Sequence, residues 1–129
     1  MPTVSKKALF LIDDDPSIIK EYTEKFALHP HFTVQSATNG KEGLEKLAKF
    51  IPDLILLDIM MPKLDGFDVL EELKKDERLK KVPVIMLTNL GDSTDKAEAL
   101  KKGADDYLVK ALHTPQEIVE KVEALLKVK

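Results

Sequence analysis

The sequence predicts an α/β domain built on one parallel five-stranded sheet with helices on both faces. Short apolar runs alternate five times with amphipathic segments, the pattern of successive βα units joined by right-handed crossovers. Four of those runs also end on a residue with usable chemistry. Residues 10–12 run into Asp13 and Asp14, 54–57 into Asp58, 84–87 into Thr88, and 107–109 into Lys110. Parallel strands bring their carboxyl ends to one edge of a sheet, where ligands bind at the point of strand-order reversal.

The first strand is expected over residues 8–12. Asp15 then serves as N-cap with Pro16 at the first helical position, and Ile19, Tyr22 and Phe26 form an apolar face at helical spacing. Residues 32–36 alternate like a shorter, more exposed strand. Asn39, with Glu42 three residues on, starts a second helix whose inner face is Leu44, Leu47, Ala48 and Ile51. The run 54–57 is apolar on both faces, as a central parallel strand should be. A third helix from Gly66 turns Phe67, Leu70 and Leu73 inward, and residues 84–87 form the fourth strand. The fourth helix, 93–102, stops at Gly103 and has mainly Ala97 and Leu100 to bury, so its local stability is expected to be low. Residues 106–109 form the fifth strand. Thr114, Pro115 and Glu117 make a capping box that opens the last helix, with Ile118, Val122, Leu125 and Leu126 facing the core.

At 129 residues the chain is expected to be a single domain, extending over about 6–128, with no output domain. It lacks cysteine, which excludes disulfides, cysteine-ligated zinc and thiol nucleophiles. A formal charge of −3 with interspersed signs, and no basic stripe with aromatics, argues against direct nucleic-acid binding. No apolar stretch approaches the roughly 18 residues needed to span a bilayer, so no membrane role and a cytoplasmic location are expected. His29, His31 and His113 have no metal-ligand spacing.

Carboxylates gathered in one pocket repel one another, and a hard divalent cation relieves the repulsion. Mg²⁺ suits oxygen donors: Asp14 and Asp58 as direct ligands, Asp13 through water, and a backbone carbonyl just after Asp58. An aspartate beside such a cation and Lys110 is also a competent nucleophile toward phosphorus, with Thr88 placed to hydrogen-bond the phosphoryl group. Singly, each residue has an ordinary reading, as helix cap, loop acid, strand-end hydroxyl or surface lysine. Their joint placement at four strand ends is what points to a site.

The pieces Leu-Ile-Asp13-Asp14-Asp15-Pro16, Asp58-Ile-Met-Met-Pro62-Lys-Leu-Asp65-Gly66, Leu87-Thr88 and Gly103-Ala104-Asp-Asp-Tyr107-Leu-Val-Lys110 resemble the receiver domains of two-component response regulators, of the single-domain chemotaxis-regulator type. The resemblance covers essentially the whole chain in order and spacing. It implies a flavodoxin-like (βα)5 sheet of order 2-1-3-4-5, with Asp58 as phosphoacceptor. It implies a Mg²⁺ site (Mn²⁺ able to substitute) made of Asp13, Asp14, Asp58 and the Met60 carbonyl. Lys110 becomes the phosphate-contacting lysine, and Thr88 with Tyr107 the switch pair that reshapes the surface of the fourth helix, fifth strand and fifth helix. The implied partners are a sensor histidine kinase or histidine phosphotransfer protein, and a downstream protein target or separate output domain. The chain would act as a monomer or weak phosphorylation-dependent dimer, and would catalyse only its own phosphorylation and dephosphorylation.

One departure stands out. The family usually follows its lysine with a cis proline, whereas Ala111 follows Lys110, and a cis bond to a non-proline costs about 2.5–4 kcal/mol. A trans bond is therefore expected. Met60 and Leu90 are apolar residues expected to flank the site and restrict water. Two alternatives use the same residues differently. A small haloacid-dehalogenase-like phosphatase or phosphotransferase would use Asp13 as nucleophile, but Pro16 sits where threonine or valine is expected and Asp58 would have no role. A flavin-binding module meets a triply acidic loop that repels phosphate unless a cation intervenes.

Overall fold

In the computed structural model, whose described residues are 6–89 and 93–128, strands and helices alternate as β1 (Lys7–Ile12), α1 (Pro16–Ala27), β2 (Phe32–Ala37), α2 (Gly40–Leu47), β3 (Leu54–Leu57), α3 (Gly66–Lys75), β4 (Val84–Thr88), α4 (Ser93–Lys101), β5 (Asp106–Val109) and α5 (Pro115–Leu126). The strands form one parallel sheet in the order β2-β1-β3-β4-β5, the expected flavodoxin-like arrangement.

Alternation along the strands divides the core. Leu9, Leu11, Leu54, Leu56, Ile85, Leu87 and Leu108 face α1 and α5, meeting Tyr22, Phe26, Ile118, Val119 and Val122. Phe10, Ile12, Ile55, Leu57, Val84, Met86 and Tyr107 point the other way, toward Leu47 of α2, Val69, Leu70 and Leu73 of α3, and Ala99 of α4. All four residues of β3 are buried, because helices cover both its faces.

The helix starts follow local chemistry. The Asp15 carboxylate accepts from Ser17 N–H with Pro16 in the first turn, and Thr114 and Glu117 form the expected reciprocal box on α5. A second such box, Asp65 with Asp68, opens α3. At α2, Asn39 accepts from Glu42 N–H at 2.7 Å, but the Glu42 carboxylate passes it and takes the backbone N–H and hydroxyl of Thr38. Gly103 ends the α4 segment with φ +106, a conformation that favours glycine.

Three inner faces differ from expectation. α2 ends at Leu47, so Ala48 becomes an exposed cap and Ile51 lies beyond the helix in solvent; Leu44 and Leu47 face the core as expected, joined by Gly40 and Gly43. On α4, Ala99 is fully buried, while Ala97 is exposed and Leu100 is 43% exposed. On α5, Val119 takes the core position that Leu125 does not. Among the described residues no helix is long and apolar enough to cross a membrane.

Candidate functional site

The strand order reverses between β1 and β3, and the chemistry-bearing residues lie at the carboxyl ends beside that point. Asp13 and Asp14 follow β1, Asp58 follows β3, Thr88 ends β4 and Lys110 follows β5. Together with Met60 and Asn89 these side chains line a cavity of about 170 Å³. One carboxylate oxygen each from Asp13, Asp14 and Asp58 lies within 4.8 Å of the others. All three donors are hard oxygens, a set that suits Mg²⁺.

Asp13 is nearly inaccessible, at 1%, and both of its oxygens are engaged. Oδ1 accepts from Asp15 N–H at 2.9 Å, and Oδ2 accepts from the Lys110 ammonium at 2.5 Å. The same ammonium stands 3.7 Å from Asp58 Oδ2. Asp58 is 6% exposed, and burial pushes its carboxyl up to about 6. The Lys110 charge opposes that rise and the Asp13 charge adds to it, while hydrogen bonds from the Thr88 hydroxyl and the Ile59 N–H lower it again.

Asp58 owes its position to a glycine as well as to β3. Gly66 N–H donates to Ile59 O at 2.9 Å, and a Cβ on Gly66 would lie 2.3 Å from Asp58 O. No side chain larger than hydrogen fits there without moving the Asp58 backbone. The peptide after Lys110 is trans, as expected from Ala111, since no described peptide bond is cis. The chain continues through a 3-10 turn, Lys110–Leu112, yet the ammonium still enters the pocket.

Met60 is 62% exposed at the cavity, while its neighbour Met61 is buried in the core. Tyr107 is buried among the residues that face α2, α3 and α4 and does not line the cavity. Leu90 lies outside the described residues. Sequence reasoning missed two contributors: Gly66, whose signal was a glycine at the first position of a capped helix, and Asn89, which directly follows Thr88.

The fold and this constellation of strand-end residues define a class of signalling domain. The response regulator receiver domain family matches residues 9–123, and the chain belongs to it. A probable transcriptional regulator ycf27 of Guillardia theta is 41% identical over 123 residues, covering 95% of this chain and 46% of its own. The DNA-binding dual master transcriptional regulator RpaA of Synechocystis is 41% identical over 119 residues, covering 92% and 48%. The chain thus spans about half the length of the curated relatives it matches. Among solved structures, the receiver domain of the Francisella response regulator 1452 superposes with a TM-score of 0.86 at 34% identity, covering 95% of this chain and 98% of that one. The phosphorylated cyanobacterial phytochrome response regulator RcpA gives a TM-score of 0.84 at 30% identity, covering 95% and 94%. The receiver match replaces the phosphatase alternative that would have used Asp13 as nucleophile.

Proposed function

We propose that this receiver domain accepts a phosphoryl group on Asp58 from the phosphohistidine of a sensor histidine kinase or histidine phosphotransfer protein. The observation that carries this reading is the setting of Asp58: a buried carboxylate with a lysine, a hydroxyl donor and two further aspartates around it. Asp13, Asp14, Asp58 and the Met60 carbonyl would hold Mg²⁺, which Mn²⁺ could replace, and the cation would supply positive charge to offset the charge of the phosphoryl group.

An oxygen of ionised Asp58 attacks phosphorus in line with the leaving group. The phosphorus–nitrogen bond breaks, its electron pair returns to the donor imidazole, and an aspartyl phosphate forms. Lys110 turns from Asp13 toward the new phosphoryl oxygens. Thr88 transfers its hydroxyl hydrogen bond from the carboxylate to the phosphoryl group, and Tyr107 packs inward behind it. Tyr107 is already buried and Thr88 already bonded to Asp58 in this structure, so the inward arrangement is compatible with the fold. Water attack on phosphorus later breaks the acyl–phosphate bond and restores the carboxylate, so the chain catalyses only its own phosphorylation and dephosphorylation.

The product of the reaction is a changed surface over α4, β5 and α5, read by a downstream protein or a separate output domain. The domain works in the cytoplasm as a monomer or weak phosphorylation-dependent dimer, without touching nucleic acid itself. Incubation with acetyl phosphate and Mg²⁺ tests the reading. Intact mass rises by one phosphoryl group in the parent and not in Asp58→Asn; equal labelling of both proteins refutes it.

A further inference from the structure

α4 is fastened differently from the other helices. Its only described fully buried side chain is Ala99, which joins the apolar cluster that also contains Tyr107, Met86 and Ala104. At the C-terminal end the contacts are polar. Lys102 Nζ meets Glu71 Oε1 of α3 at 2.5 Å and Glu98 Oε1 of α4 itself at 4.0 Å. Gly103 rests on the methylene stem of Lys74, whose carbons from Cγ to Cε would lie 3.1–3.4 Å from an added Cβ, and the Lys74 ammonium donates onward to Lys80 O at 3.1 Å. Glu71 and Lys74 of α3 thus form a charged seat for the end of α4.

We infer that the Glu71–Lys102 pair is a positioning latch, which fixes α4 on α3 in the arrangement that goes with inward Tyr107 and makes the switch sensitive to ionic strength. The inference rests on the receiver reading. The link between latch and Tyr107 is geometric. Lys102 follows directly on the helix that carries Ala99, Ala104 N–H bonds to Ala99 O at 3.0 Å, and Ala99 packs in the Tyr107 cluster. A shift of the α4 end therefore displaces Ala99 within the apolar cluster that holds Tyr107. Glu71 and Lys102 are 46% and 27% exposed in their side chains, so salt screens the latch. Exposed pairs are individually weak, which sets the expected effect at about two- to five-fold in an equilibrium. With so little apolar burial on α4, a bias of that size is enough to show.

The test uses beryllofluoride with Mg²⁺ as a phosphoryl mimic on the parent, Glu71→Gln, Lys102→Gln and the double variant. Each single variant is expected to raise the half-saturating beryllofluoride concentration by about two- to five-fold, and the double variant no further. Raising NaCl from about 0.05 to about 0.5 M is expected to produce the same rise in the parent and none in the double variant. Amides of α4 near Lys101 should exchange faster in all three variants. Unchanged half-saturation, additive shifts, or an equal salt response in parent and double variant overturns the latch. Acetyl phosphate labelling of the four proteins separates the two ideas: labelling without a latch effect refutes only the latch, while no labelling of the parent refutes the phosphoacceptor reading.

Discussion

The Lys110 ammonium lies 2.5 Å from Asp13 Oδ2 and 3.7 Å from Asp58 Oδ2, so the lysine is bonded to Asp13 rather than to the proposed phosphoacceptor. Both members of the Lys110–Asp13 pair are buried, with side-chain exposures of 8% and 1%. The Lys110 ammonium is thus a buried positive charge set against both Asp13 and Asp58.

Removing the lysine should therefore expose the strain of the cluster. Lys110→Ala leaves Asp13 charged, buried and without its partner, which costs about 3 kcal/mol in chelator-treated protein at neutral pH. At the proposed site Mg²⁺ would bind only the folded arrangement of the acids and should restore most of that loss. Urea melts with chelator and with Mg²⁺ measure both quantities. A Lys110→Ala protein as stable as the parent in chelator contradicts the pairing.

Asp58 makes a pH prediction. Its folded pKa of about 6 lies above the ordinary 3.8, so the fold prefers the protonated acid and is penalised by the charged one. The favourable contribution is present below about pH 4 and is lost as pH rises through about 6, amounting to no more than about 3 kcal/mol above that. Asp58→Asn cannot ionise and should be more stable than the parent in chelator at pH 7. The difference should shrink as pH falls from about 6 to about 4, and a difference independent of pH over that window counts against the burial of a charged Asp58.

Gly66→Ala should disturb the site without touching a reacting group. The new methyl group meets the Asp58 carbonyl and Ile59 Cα, and the forced shift should cost about 1–3 kcal/mol. Acetyl phosphate labelling should slow as well, because the Asp58 backbone must move. Normal stability together with normal labelling rules out the tight approach.

Much of this architecture is legible in the chain because local chemistry marks it. Asp15 with Pro16, Asn39, and Thr114 with Glu117 set helix starts, and the apolar runs end where the strands end. The strand-end residues follow from topology alone, since a parallel sheet sends Asp13, Asp58, Thr88 and Lys110 to one edge. Burial within helices is less legible. α2 stops after Leu47, so the spacing that suggested Ala48 and Ile51 continues past the last turn. α4 has too few apolar residues to define a face, and the sheet selected Ala99 over Ala97 and Leu100. α5 has apolar residues on more than one stripe, and packing into the cluster shared with α1 and the sheet chose Val119 and left Leu125 at the edge. Gly66 was legible as a helix start, but its close approach to the Asp58 carbonyl is a contact between segments that local sequence does not specify.

Whether Asp58 carries the phosphoryl group is decided by chemical site mapping. Protein treated with acetyl phosphate and Mg²⁺ is reduced with borohydride, which converts an aspartyl phosphate to homoserine, and is then digested and sequenced by mass spectrometry. Homoserine is expected at position 58, with Asp13 and Asp14 unmodified. Homoserine at position 13 or 14 with intact Asp58, or no conversion at any aspartate, would contradict the assignment to Asp58.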